Sequence, residues 1–98
     1  MNTLQPHETD LIGDWIVRGA EVEGDETCKR IKWLVAKKLQ KVTTDASGWD
    51  VLYRDPVDGR YWELSYPQSE MHGGGPSRLT NLSPEQAQAK YGDFSLST

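Results

Sequence analysis

With a single cysteine, Cys28, the 98-residue chain cannot form a disulfide with itself, which fits a reducing compartment. Two histidines, His7 and His72, with one distant thiol fall short of a zinc ligand set. Asp50, Asp55 and Asp58 lack the spacing of a calcium loop, so no metal or cofactor is expected. No apolar run approaches the roughly 20 residues of a membrane helix, and no membrane partner is expected. The start, MNTLQPHETD, has neither a basic region nor an apolar core; no signal peptide is visible and a cytoplasmic location is expected. Repeats, low-complexity tracts and long linkers are also missing. A single domain over 1–98 is expected, with an ordered core at about 10–92 and loose termini.

Catalytic signatures are equally scarce. His72-Gly-Gly-Gly75 resembles an oxyanion-hole segment of lipases, but the Gly-x-Ser-x-Gly elbow that must accompany it is absent. The same glycines are followed by Pro76-Ser-Arg rather than by Lys-Ser or Lys-Thr at a helix start, which argues against a phosphate cradle. An enzyme would have to bring Glu63, Glu70 and His72 together, and nothing in the sequence does so. No small-molecule ligand is expected.

Present instead is an uneven charge distribution. Residues 25–42 carry six lysines and arginines against two acids, +4, while the remainder carries 13 acids against 5 bases, −8. An acidic body with one basic segment is poorly suited to nucleic acid, where positive charge must dominate. It suits a basic protein partner.

The elements follow from periodicity. Leu11 to Val17 suggests a strand. From Asp25, an N-cap, to Val42 the chain has no Gly or Pro, and Cys28, Ile31, Val35, Leu39 and Val42 share one helical arc. Residues 48–55 and 60–66 form a hairpin around Pro56-Val-Asp-Gly59. With Asp55 opposite Arg60, Tyr53 faces Trp62, Val51 faces Leu64 and Trp49 faces Tyr66, an all-apolar face. The other face holds Asp50, Leu52, Arg54, Tyr61, Glu63 and Ser65. Arg78 to Leu82 is a further strand, and Ser83-Pro-Glu-Gln86 opens a second helix ended by Gly92. The expected fold is α+β: a small antiparallel sheet, one long amphipathic helix on its aromatic face and a short C-terminal helix.

Three features are candidates for contact with a partner. Tyr61 and Glu63 lie on the more polar face of the hairpin. Gln68, Glu70, His72 and the triplet Gly73, Gly74, Gly75 lie between Pro67 and Pro76, where missing β-carbons permit close backbone approach; the alternative is a purely structural bend. Trp33 lies opposite the buried helical arc among Lys29, Arg30, Lys37 and Gln40. It is either an aromatic anchor or a ring covered by another segment. Lys29, Arg30, Trp33, Lys37 and Lys41 together define the alternative reading, a small nucleic-acid-binding module.

The stretches LIGDW (11–15), CKRIKWL (28–34), SGWD (47–50), LYRDP (52–56), DGRYWEL (58–64) and YPQSEMHGGGP (66–76) resemble the bacterial family called Immunity protein 27. The resemblance spans about residues 11–91, and Trp49 to Pro76 is its most specific part. It implies a non-catalytic protein of a polymorphic toxin system, used in contact-dependent competition, that neutralises a cognate toxin domain by binding it. An acidic inhibitor would match a nuclease toxin, whose substrate groove must be basic.

Overall fold

The computed structural model describes residues 1–67 and 75–92. In chain order these form β1 (Asp10–Ile12), β2 (Trp15–Arg18), β3 (Glu21–Gly24), α1 (Glu26–Lys37), β4 (Gln40–Thr44), β5 (Val51–Arg54), β6 (Tyr61–Ser65), β7 (Arg78–Leu82) and α2 (Pro84–Tyr91). Five strands make an antiparallel sheet in the order β1-β7-β6-β5-β4, and β2 and β3 make a separate two-stranded ribbon. The fold is α+β.

The β5–β6 hairpin has the register that opposed side chains dictate. Tyr53 pairs with Trp62 and Val51 with Leu64, and the Asp55 amide donates to the Arg60 carbonyl at 2.8 Å. The turn closes through Gly59 at φ +78°, and the Asp55 carboxylate accepts the Val57 amide at 2.9 Å. The pairing stops short of Trp49, which is 64% exposed. Asp45 ends it: its carboxylate accepts the amides of Gly48 and Asp50, curling 45–50 into a loop before β5 begins.

Helix α1 is shorter than its apolar spacing suggests. Asp25 caps it by accepting the Cys28 amide at 2.9 Å. It closes at Lys38, and the amides of both Lys38 and Leu39 fold back onto the Leu34 carbonyl. Leu39 still reaches the core, but from the turn. Val42 belongs to edge strand β4, where Thr43 and Thr44 favour extended backbone. Val42 matched the helical arc because its spacing coincides with 3.6 residues per turn, a coincidence that periodicity alone cannot expose.

The expected strand from Leu11 to Val17 is two strands in two sheets. At Gly13 the chain breaks direction, and its amide donates to Ser77 O at 2.9 Å. A β-carbon there would lie 2.3 Å from Cys28 Sγ and 2.7 Å from Ser77 O, and one at Gly24 would lie 2.8 Å from Cys28 Cβ. These glycines let the β2–β3 ribbon dock against the start of α1.

Packing occupies both faces of the main sheet. Leu11, Ile31, Leu34, Leu39, Trp62, Leu64 and Leu79 form the larger core. On the opposite face Leu52, Tyr61 and Ala87 form a second core, flanked by Val42, Leu82 and Tyr91. Helix α2 supplies Ala87 and Tyr91 and is built as its sequence indicates: Ser83 and Gln86 make a reciprocal capping box, Pro84 opens the helix and Gly92 closes it. Ahead of β1, Arg30 holds residues 2–8 against the body, donating to the Glu8 carboxylate at 2.7 Å and to the carbonyls of Asn2 and Thr3. Arg60 adds bonds to the carbonyls of Gln5 and Glu8.

Candidate functional site

The second core corrects the expectation that the Tyr61 face of the hairpin is open. Leu52 is 0% exposed and Tyr61 8%, because α2 lies over them. Glu63 is engaged from the same helix: Tyr91 donates its hydroxyl to Glu63 Oε2 at 2.8 Å, and Lys90 Nζ lies 2.6 Å from both Glu63 Oε2 and Asp50 Oδ2. Burial pushes the Tyr91 phenol far up, and the hydrogen bond to Glu63 adds to the rise. Burial works against the Lys90 charge, yet its bonds to Asp50 and Glu63 leave its affinity for protons raised overall. The arrangement is a polar latch that fastens α2 to the sheet.

The other candidates separate. Gln68, Glu70, His72, Gly73 and Gly74 lie outside the described residues. Gly75 is buried and sits at φ +71°, a conformation that suits glycine. Trp33 is half-buried against the larger core, with Lys38 Nζ 5.5 Å from its ring; the flanking cation is Lys38 rather than Lys29 or Lys37.

The basic segment is not one continuous face. Arg30 is committed to the N-terminal residues, Lys29 lies 3.5 Å from Glu26 and 3.9 Å from Glu23, and Lys41 stands on β4 rather than on the helix. The ladder of cations that a nucleic-acid module would need is therefore broken up. Of the residues that an enzyme reading would combine, only Glu63 lies among those described. No group of three His, Cys, Asp or Glu among the described residues is placed to hold a metal ion.

What the structure adds is a groove of about 470 Å³ between the β2–β3 ribbon, α1 and the end of β6. Trp15, Cys28, Ile31, Val35, Leu64 and Tyr66 give it apolar walls, and Glu23, Lys29 and Lys32 stand among its polar lining residues. Gly75 lines it too, so the C-terminal end of the glycine triplet belongs to this site. A cleft of this size, with apolar walls and few polar groups, can accept one or two protruding side chains of another molecule.

The ribbon that forms one wall went unrecognised from sequence. The signal was present: Trp15-Ile-Val-Arg18 and Glu21-Val-Glu-Gly24 are separated by two residues, Gly19-Ala20, a hairpin spacing. Gly19 turns the ribbon at φ +62°.

Comparison with protein families gives one finding. The family model described as Immunity protein 27 matches residues 17–83, from within β2 to the cap of α2. No curated protein and no solved structure matches the chain.

Proposed function

The chain belongs to the Immunity protein 27 family, and we propose that it neutralises a cognate toxin domain by non-catalytic protein–protein contact. The observation that carries this reading is the family match over 17–83. An apolar groove beside an open ribbon supports it by offering a surface that another polypeptide can fill. The proposed site of action is the cytoplasm of the cell that makes the toxin; no described helix is long and apolar enough to cross a membrane.

The net charge of −4 and pI near 5.0 favour a cationic partner. A toxin that cleaves nucleic acid fits that requirement, because its own substrate is polyanionic. The segment 68–74, with Gln68, Glu70, His72, Gly73 and Gly74, stays a proposed contact on sequence grounds.

The test is co-expression with the toxin domain encoded beside the gene. Growth restored to toxin-expressing cells, with the two proteins co-purifying in a one-to-one complex, is the expected result. Growth arrest in cells that contain abundant soluble protein overturns the reading.

A further inference from the structure

We propose that the β2–β3 ribbon is the toxin-docking element, presenting the apolar face of a negatively charged ribbon to a cationic surface of the toxin. This rests on the immunity reading above and assigns it a location.

Registry supplies the first argument. In the ribbon Val17 pairs with Val22 and Trp15 with Gly24, so these four positions share one face. Trp15 and Gly24 line the groove, while Val17 and Val22 continue the same face away from it and are 73% and 61% exposed. The result is one apolar strip, uncovered along the ribbon by the described residues and deepening into a cleft floored by α1 and β6. Neither ribbon strand joins the five-stranded sheet. A two-stranded ribbon depends on packing for its stability; α1 supplies that at Cys28, and leaving the valine pair uncovered gains the fold nothing. A partner that covers the pair removes that apolar area from water.

Charge identifies the partner's chemistry. Residues 14–26 hold Asp14, Glu21, Glu23, Asp25 and Glu26 against Arg18 alone, a net −4. The rest of the chain balances at ten acids and ten bases, with Lys29 and Lys32 standing at the cleft beside the ribbon. Arg18 lies 2.7 Å from Glu23, and Lys29 lies 3.9 Å from the same oxygen. Asp14, Glu21 and Glu26 remain exposed. Registry puts Glu21 and Glu23 on the ribbon's opposite face with Arg18, and Lys29 and Lys32 line the cleft. The acids therefore act on a partner through the ribbon's net negative field, which attracts a cationic surface and disfavours acidic proteins.

The experiment uses the full chain and the toxin domain encoded beside it, with affinity and association rate measured at low and high salt. Val17→Lys/Val22→Glu replaces the apolar pair with an opposite-charge cross-strand pair and keeps the net charge. It should weaken binding by about thirtyfold or more. Glu21→Gln/Glu23→Gln/Glu26→Gln should slow association about tenfold at low salt and approach the wild-type rate at high salt. Val57→Lys, at the exposed β5–β6 turn, should bind as wild type. The glutamine variant keeps the test decisive if the cross-strand pair loosens the ribbon.

Wild-type affinity and salt dependence in both ribbon variants would overturn the ribbon assignment and leave the immunity reading standing. Wild-type protein that does not bind the toxin at all would overturn that reading, and this inference with it. If the free protein is a dimer that Val17→Lys/Val22→Glu dissolves, the face belongs to a second copy and the proposal is wrong.

Discussion

Two β-ribbons in this molecule carry related patterns and meet different fates. In β5–β6, Leu52 and Tyr61 lie on a face whose other members include Glu63, and helix α2 seals it. In β2–β3, Val17 and Val22 lie on a face just as apolar, and no described residue buries the pair. The difference lies in the segments that pack against each ribbon. The capped helix that starts at Ser83 returns over the main sheet, with Ala87 small enough to let it sit close and Lys90 and Tyr91 reaching the same carboxylate. The small ribbon has α1 against it at Cys28 and, among the described residues, nothing comparable over its valines. Alternation tells which residues share a face; a distant segment decides whether that face is core or interface.

The comparison can be broken most severely at Leu52. If the Tyr61 face is core, Leu52→Ala should cost about 2–5 kcal/mol. That amounts to a drop of about 10 °C or more in thermal midpoint for a domain of this size. A change within about 0.5 kcal/mol would mean that α2 does not cover the sheet.

A smaller effect is expected at the N-terminal tie. The Arg30 guanidinium holds the Glu8 carboxyl down to about 2 from an ordinary 4.5, with the Gln5 amide assisting against the opposing effect of burial. A carboxyl with a lowered native pKa stabilises the fold above its ordinary value, and that contribution fades as pH falls from about 4.5 toward 2. Glu8→Gln should therefore lose about 1–2 kcal/mol at neutral pH, and its stability should decline less steeply through that acid window. Asp10, held down by its bonds to Arg78, shares the same direction and would leave a residual slope. Urea unfolding at stepped pH checks both signs.

The smallest effect belongs to the open ribbon. Val22→Lys should change stability by no more than about 0.5 kcal/mol, as surface substitutions do. A loss comparable to that at Leu52 would mean that the two faces are equivalent after all.

The α+β class, the β5–β6 register, the turn at Gly59 and both ends of α2 were legible because each rests on local rules: opposed side chains, a left-handed residue, a capping box. The covered Tyr61 face was not, because Ala87 lies more than twenty residues away and gives no local sign of its target. The end of α1 was hidden by a strand whose valine fell on the helical arc. Gly75, singled out from the sequence as a candidate contact, lines the groove, whereas Trp15 and Cys28 carried no sign that they would line it. They meet only because Gly13 and Gly24 permit an approach that no pattern of apolar residues encodes. The resemblance to Immunity protein 27 came from short aromatic and turn segments, and the family match covers most of them together with α1.

Hydrogen–deuterium exchange of the free protein against its toxin complex tests the central claim most directly. Slower exchange across residues 15–24 and at Tyr66, with α2 unchanged, is the predicted outcome. Protection confined to α2 and β4, with the ribbon exchanging as in the free protein, would contradict it.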